Sequence, residues 1–187
     1  MAEKRKNWNG LISGFSASDL VFLDESGCNT DMTRRYAYSF GGSRAVDATP
    51  LSKPKNTTIL SSIQLNGTLH YTTFSGETTV ERFKRYLETD LLPHLNGNSV
   101  LVMDNMKSHH AKAVKELLDS SGVRYIYLPP YSPDLNPFEK LWSKVKALLR
   151  KFKARTLDAL PNAIQNAFHS VTVSDCSGWF PFCGYAL

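Results

Sequence analysis

The sequence predicts a mixed α/β domain, and three observations support this. The short apolar blocks Leu20–Glu25 and Val100–Asp104 are typical of strands that are buried on both faces of a sheet. Residues 57–65 alternate and are β-branched, and they precede Asn66-Gly67, a strong hairpin signal. The second half of the chain alternates helical and strand patterns, which favours parallel strands joined by helical crossovers. We therefore expect early antiparallel strands and later parallel ones.

The remaining elements follow from periodicity and from start and stop signals. The predicted strands are 20–25, 57–65, 68–74, 100–104 and 123–128, with a brief strand possible over 36–40 in the otherwise loop-rich segment 26–56. The predicted helices run from Thr78 or Thr79 to near Pro93, over 111–120 with Gly122 as the stop, over 137–152 and over 157–171. Residues 1–18 are expected to form a loose, partly flexible leader, and residues 19–187 one domain.

Composition limits the class of protein. The chain has 187 residues, enough for one domain with a real core, and its 42% hydrophobic content is ordinary for a globular protein. No apolar run approaches the roughly 20 residues that a membrane helix needs. The three cysteines form no CxxC pair, which favours reduced thiols over a disulfide framework or a zinc site. We expect a cytoplasmic protein without a membrane partner.

The charge of the chain is compatible with a polyanionic partner. The formal net charge is +5 and the isoelectric point is about 9.1. Cations gather in two places, with a solvated face as the alternative interpretation of each. One cluster holds Arg34, Arg35, Arg44, Lys53 and Lys55, and the other holds Lys140, Lys144, Lys146, Arg150, Lys151 and Lys153. From these clusters we select Arg34, Arg35, Arg44, Lys140, Lys144 and Lys151 as candidate contacts with the phosphate groups of such a partner.

Three acidic residues stand at informative positions. Asp24 and Asp104 each end an apolar strand, where open α/β sheets place their ligands. Glu139 opens the helix that follows Asn136-Pro137, so it could instead complete a capping box. Three converging carboxylates repel one another, and hard divalent cations such as Mg²⁺ or Mn²⁺ are the usual remedy.

The surroundings of these acids resemble the signature blocks of DDE transposases. The blocks are Phe22-Leu23-Asp24-Glu25-Ser26-Gly27, then Val102-Met103-Asp104-Asn105 with His109 and His110, then residues 128–139, which read LPPYSPDLNPFE. Thirty-four residues separate Asp104 from Glu139, the spacing used by the mariner superfamily. The most similar branch is that of bacterial insertion sequences. The resemblance runs from about Leu20 to the C-terminus, where Gly178-Trp179-Phe180 also fits.

This resemblance implies a ribonuclease-H-like mixed sheet flanked by helices, in which the strands bearing Asp24 and Asp104 are neighbours. It implies metal-dependent cleavage and strand transfer at the ends of an insertion element, with two Mg²⁺ or Mn²⁺ ions about 3.5–4 Å apart. Asp24 would bridge both ions, Asp104 would hold one and Glu139 the other. Asn105 and His109 would lie next to these ligands and help to orient them.

Other residues near the acids receive less specific expectations. The side chain of Glu25 should point to the opposite face of the strand from that of Asp24, in a supporting role. Trp142 is expected in the core rather than as a platform for a nucleobase. Histidine is a poor ligand for Mg²⁺, so we do not assign His109 or His110 to direct metal binding.

Full-length members of the family carry a helix-turn-helix region before the catalytic domain, and the first strand here begins near residue 20. We expect the chain to be the catalytic half of a split transposase, and a truncated remnant is the alternative. The implied partners are DNA at element ends and target sites, a second copy of the chain in a homodimer, and an upstream helix-turn-helix half. A non-catalytic DNA-binding fragment and a cellular ribonuclease-H-like nuclease remain as alternative functions.

Overall fold

A five-stranded mixed sheet forms the centre of the protein. The computed structural model describes residues 2–34, 36–51 and 54–185. Its strands are β1 Leu20–Cys28, β2 Thr57–Gln64, β3 Leu69–Ser75, β4 Val100–Met103 and β5 Arg124–Tyr127. They lie side by side in the order β3-β2-β1-β4-β5. The pairs β1–β2 and β2–β3 are antiparallel, whereas β1–β4 and β4–β5 are parallel. The predicted fold class is confirmed.

Within the described residues, six α-helices flank or cross this sheet. They are α1 Ala2–Ile12, α2 Val80–Tyr86, α3 Lys112–Ser121, α4 Phe138–Phe152, α5 Leu160–His169 and α6 Val173–Phe182. Thr79 caps α2 through its side chain, and α2 continues as irregular helical turns to His94. Gly122 ends α3 with a left-handed backbone, φ 71°, as its position in the sequence predicts. The hairpin turn at Asn66-Gly67 is also confirmed, with Gly67 at φ 84°.

The sheet separates two apolar clusters, and strand alternation decides which side chain joins which cluster. Leu20, Phe22 and Val102 pack on the face that α4, α5 and α6 cover. Val21 and Leu23 pack on the opposite face, against α2 and α3. Because side chains alternate along a strand, the residue after Leu23 returns to the α4 face. The side chain of Asp24 therefore points towards α4, whose first turn carries Glu139.

Two helices were not predicted from the sequence. The segment expected to be a loose leader contains α1, whose Trp8 is only 3% exposed in the core. Arg5 forms a bidentate ion pair with Asp134, which ties α1 to the segment before α4. The other unpredicted helix, α6, begins with a capping box between Thr172 and Asp175. The α1 sequence has little amphipathic periodicity, so the sequence does not predict that helix. The last 10 residues contain two glycines and a proline, which argue against a helix there and conceal α6 from prediction.

The connection between β1 and β2 also differs from expectation. β1 extends to Cys28, and no strand forms over residues 36–40. This connection exposes large apolar side chains to solvent, with Tyr36, Tyr38, Phe40, Val46 and Leu51 each at least 87% exposed. Monomeric proteins rarely present so many large apolar groups together, so the segment has the character of an interaction surface.

The packing of α1 generates a first prediction. Trp8→Ala should lower the free energy of unfolding by about 3 kcal/mol, because it removes a large buried side chain and leaves a cavity. The matched control is Leu11→Ala on the same helix, where the side chain is 49% exposed and little stability should be lost. Urea unfolding of both variants measures the difference. Equal stability of the two variants would show that α1 does not pack on the core.

Candidate active site

The parallel pairing of β1 and β4 brings the two predicted aspartates together. Leu23 lies opposite Met103 in the register, so Asp24 and Asp104 follow at the same edge of the sheet. Both acids, with Glu139 from the first turn of α4, line one open cavity of about 640 Å³. The rest of the cavity wall is largely polar or proline-rich and includes Glu25, Ser26, Asn105, Pro129, Pro130, Tyr131, Ser132, Asn136, Trp142 and Lys146.

Asp24 is held by hydrogen bonds on both oxygens. The backbone N–H of Glu25 donates to Oδ1 at 2.7 Å, and the amide Nδ2 of Asn136 donates to Oδ2 at 2.9 Å. The indole N–H of Trp142 reaches the same Oδ2 at 3.4 Å. Burial raises the pKa of Asp24 to about 6, with a smaller contribution from the charge of Asp104, and the hydrogen bonds only partly offset this. Asp24 therefore carries its negative charge at an electrostatic cost.

Asp104 has a different environment. Its Oδ1 lies 2.8 Å from Nδ1 of His109 and also accepts the backbone N–H of Met106 at 3.0 Å. His109 is fully buried, and its ring stacks on Phe83 with centroids 4.2 Å apart. Burial acts to raise the pKa of Asp104, but the hydrogen bond and charge of His109, the backbone N–H of Met106 and the charge of His110 together outweigh burial, and the pKa lies below its usual value. The two aspartates are thus driven in opposite directions by their surroundings.

Asn105 holds the turn that follows Asp104. Its amide Nδ2 donates to the carbonyl oxygen of Leu128, which joins the ends of β4 and β5. Its Oδ1 lies 3.4 Å from Nε2 of His110, whose ring stacks on Tyr127. The structure therefore places both Asn105 and His109 around Asp104, although their functional roles remain predictions.

Glu139 lies in the cavity rather than in a capping box. The backbone N–H of Asn136, which a capping glutamate would accept, donates to the carbonyl oxygen of Pro133. Asn136 supplies the cap instead, because its Oδ1 accepts the N–H of Phe138 at 3.1 Å. The Glu139 side chain is exposed, and in the described part of the chain it makes no hydrogen bond. It is therefore free to turn towards the aspartates.

The residues fit hard divalent cations in type, although not yet in position. Within residues 2–34, 36–51 and 54–185, no three His, Cys, Asp or Glu side chains converge closely enough to hold a metal ion. Glu25 lines the same cavity, and its expected direction away from Asp24 stays a prediction. Its Oε2 is buried and has no hydrogen-bond partner among the described residues. The cost of burying the charge of Asp24 favours a cation beside Asp24.

The predicted DNA-binding cations are spread over several environments. Arg34 and Arg44 lie exposed in the connection after β1, and Arg35 lies outside the described residues. On α4, Lys144 forms an ion pair with Asp175, and Nζ of Lys140 lies 3.8 Å from the ring centroid of Phe182. Lys151 is exposed and lines none of the cavities described here. The structure thus engages two of the α4 cations in contacts with α6.

Sequence reasoning missed the residues of α4 that share the Glu139 face. Trp142, Lys146 and Arg150 follow Glu139 at helical spacing, and the first two line the carboxylate cavity. Trp142 is buried as expected, but its N–H reaches into the site. Lys146 was placed in a basic cluster without being selected. The helical spacing of these residues from Glu139 was the signal that could have identified them.

A mixed sheet with a carboxylate at the end of each of two adjacent parallel strands, and a third on a crossing helix, defines a ribonuclease-H-like nuclease domain. Residues 19–161 match the family model described as "DDE superfamily endonuclease", and this span includes Asp24, Asp104 and Glu139. The chain belongs to the DDE superfamily of endonucleases.

Individual relatives are transposases. The chain is 28% identical over 97 residues to the Tc1 transposase of Caenorhabditis elegans, covering 50% of this chain and 36% of that protein. It is 31% identical over 75 residues to the Tcb2 transposase of Caenorhabditis briggsae, covering 40% of this chain and 28% of that protein. The matched segments therefore span about a third of each curated relative.

Solved structures share the fold. A Mos1 transposase paired-end complex with the left transposon end superposes with a TM-score of 0.80 at 22% identity, covering 96% of this chain and 57% of that one. The catalytic domain of Mos1 mariner transposase superposes with a TM-score of 0.73 at 17% identity, covering 96% and 85%. A Mos1 catalytic domain with Mg gives a TM-score of 0.72 at 19% identity, covering 96% of this chain and 87% of that one.

The raised pKa of Asp24 generates a second prediction. A carboxyl whose pKa is higher in the folded state binds more protons when folded, so it favours folding at low pH and loses this contribution as pH rises through about 6. Without divalent metal, Asp24→Asn should therefore be more stable than the parent above pH 6, by about 1–2 kcal/mol after allowance for residual solvent exposure.

The difference between the two proteins should vanish below about pH 4, where Asp24 is protonated in both states. Thermal unfolding in a chelating buffer between pH 4 and pH 8 measures it, and added Mn²⁺ should stabilise only the parent at pH 7. A parent protein more stable than Asp24→Asn at pH 7 without metal would contradict the assignment.

Proposed function

We propose that this chain is a transposase catalytic domain that cuts DNA at the ends of a mobile element and joins the freed 3′ ends to target DNA. The observation that carries the proposal is the meeting of Asp24, Asp104 and Glu139 in one open cavity of a DDE endonuclease domain. The transposase relatives and the transposon-end complex of Mos1 support DNA as the substrate. Phosphodiester cleavage needs acidic groups that can hold metal ions beside a cation that can contact phosphate, and this cavity is lined by Asp24, Asp104, Glu139 and Lys146.

The three acids Asp24, Asp104 and Glu139 would hold two divalent cations. When bound, these cations supply Lewis acidity to the scissile phosphate and activate the attacking water or 3′-hydroxyl. Among the solved relatives, the Mos1 structures described with Mg and with Mn support this choice of metal. The protein itself fixes Asp24 and Asp104 at one edge of the sheet. It leaves the exposed side chain of Glu139 free to turn towards the same cations.

The DNA would lie along the face of α4 that carries Glu139. Lys146 lines the carboxylate cavity and also a second, polar cavity of about 480 Å³ that Arg150 shares. In the described part of the chain neither cation has an acidic side chain within 4.0 Å, and Asp31 is the one acid on the wall of that second cavity. At 1.5 Å of rise per residue, Lys146 lies about 10 Å and Arg150 about 16 Å beyond Glu139.

These spacings suit a nucleic-acid strand. One DNA strand advances about 3.4 Å along the duplex axis for each phosphate, so Lys146 and Arg150 stand about two phosphates apart. We therefore assign the phosphate contacts nearest the cut to these two residues. Lys140 and Lys144 are engaged with α6, and the contacts of Arg34, Arg35, Arg44 and Lys151 remain weaker proposals.

The apolar segment between β1 and β2 supports assembly into a homodimer. A transposase must bring two element ends together, and the exposed Tyr36, Tyr38 and Phe40 are residue types that are enriched at protein interfaces. An upstream helix-turn-helix half would join at α1 and supply sequence recognition. Because Trp8 anchors α1 to the core, we expect such a segment to be held close to the catalytic domain.

A non-catalytic DNA-binding fragment is the competing function. A third prediction separates the two: Asp24→Asn, Asp104→Asn and Glu139→Gln should each reduce Mn²⁺-dependent nicking of plasmid DNA by about a thousandfold. Each change removes several kcal/mol of transition-state stabilisation by the metals. The control is Asp158→Asn, an exposed acid outside the cavity. Nicking at the parental rate by Glu139→Gln would remove Glu139 from the catalytic set.

A fourth prediction concerns the two faces of α4. The double variant Lys146→Gln, Arg150→Gln should flatten the slope of log K against log salt by about two for binding of duplex DNA without metal. The control carries the same change in charge on the other face, Lys140→Gln with Lys151→Gln, and should flatten the slope less. Fluorescence anisotropy at salt concentrations from about 50 to about 300 mM measures the slope for both double variants. If the Lys140→Gln, Lys151→Gln variant flattened the slope more, the phosphate contacts would belong to the residues selected from the sequence alone.

A further inference from the structure

The amide of Asn136 makes two hydrogen bonds of different kinds. Its Nδ2 donates to Oδ2 of Asp24 at 2.9 Å, across 112 positions of sequence. Its Oδ1 accepts the backbone N–H of Phe138 at 3.1 Å and so caps the first turn of α4. Asn136 is 7% exposed, so both bonds are shielded from water. One buried side chain therefore connects the end of β1 to the start of α4.

This connection matters because Glu139 lies in the same helical turn. The carbonyl oxygen of Asn136 accepts the N–H of Glu139 at 3.1 Å, which fixes the backbone from which that carboxylate projects. Asp24 and Glu139 are both proposed to hold the cations, and among the described residues the side chain of Glu139 has no hydrogen-bond partner. The geometry of the pair therefore depends on how α4 is seated against β1.

Asparagine is well suited to this position. Its amide offers donors and an acceptor on one short side chain, whereas serine, a good capping residue, is too short to reach Asp24, and aspartate has no donor when ionised. The N–H of Trp142 also reaches Oδ2 of Asp24, but at 3.4 Å, beyond the usual range for a good hydrogen bond. Asn136 is thus the principal side-chain donor to Asp24.

We propose that Asn136 is a positioning residue that sets the orientation of the Asp24 carboxylate relative to Glu139, and thereby the affinity of the site for divalent cations. The proposal rests on the metal-dependent function proposed above. It predicts a change in metal binding that is separable from the loss of a helix cap. Residues that orient metal ligands typically change affinity by about 10- to 100-fold when they are removed.

The test uses the full chain and Mn²⁺ alone. Asn136→Ser keeps a capping oxygen and removes the donor to Asp24, and Asn136→Ala removes both. Both variants should bind Mn²⁺ about tenfold more weakly than the parent by isothermal titration calorimetry, while Asn136→Ser retains a melting temperature closer to that of the parent. Trp142→Phe, which removes only the longer bond, should weaken binding by less than Asn136→Ser. Asn162→Ser on the exposed face of α5 is the surface control.

Cleavage assays provide the second measurement. The Mn²⁺ concentration for half-maximal nicking should rise about tenfold in Asn136→Ser, whereas the rate at saturating Mn²⁺ should fall much less, because the ligands themselves remain. A folded Asn136→Ser with parental Mn²⁺ affinity and the parental half-maximal concentration would overturn the proposal. A parent that binds Mn²⁺ more tightly than Asn136→Ser but never nicks DNA would uphold the positioning role and refute the proposed function. A parent that binds no Mn²⁺ would overturn both.

Discussion

The parallel pairing of β1 with β4 is the constraint on which the rest of this protein depends. It places the residues that follow Leu23 and Met103 at one edge of the sheet, so that two acids eighty positions apart in sequence become neighbours. Everything else serves this pair: α2 and α3 cover one face of the two strands, α4 and α5 cover the other, and the prolines after β5 form the far wall of the cavity. Like charges at such an edge raise the free energy of the folded chain, and a cation is the physical means of lowering it again.

The two aspartates show how the surroundings of a residue decide its chemistry. Both are Asp at the end of a buried strand, and burial acts to raise the pKa of each, yet at Asp104 the combined contacts with His109, Met106 and His110 outweigh burial. One reason for the difference is the buried imidazole of His109, which stacks on Phe83 and lowers the pKa of Asp104. At Asp24 the amide of Asn136 and the indole of Trp142 only partly offset the effect of burial. The two aspartates at this edge of the sheet are thereby made electrostatically unequal.

The parts of this structure that were predictable from sequence are those governed by local patterns. The strand blocks, the Asn66-Gly67 hairpin, the Thr79 cap and the Gly122 stop are each written in adjacent residues, and each is confirmed. The misses involve partners that are distant in sequence. The α1 helix lacks a strong amphipathic pattern and is held by Trp8 and by the pairing of Arg5 with Asp134. Likewise, nothing near Asn136 in the sequence indicates that its amide would reach Asp24. Which cations of α4 are left free to contact DNA depends on the packing of α6 against Lys140 and Lys144.

The packing of Tyr185 has a consequence for how the protein comes into being. Its hydroxyl donates to the carbonyl oxygen of Leu135, just before Asn136, and its ring lies 4.9 Å from that of Phe22, two residues before Asp24. The ring of Phe180 also packs against that of Phe22, with centroids 5.3 Å apart. β1 is therefore supported by residues that lie more than 150 positions later in the chain, and contacts over such separations slow folding because a long loop must close first. We therefore expect the two aspartates to reach their final register only after α6 and Tyr185 have been synthesised and have packed on β1.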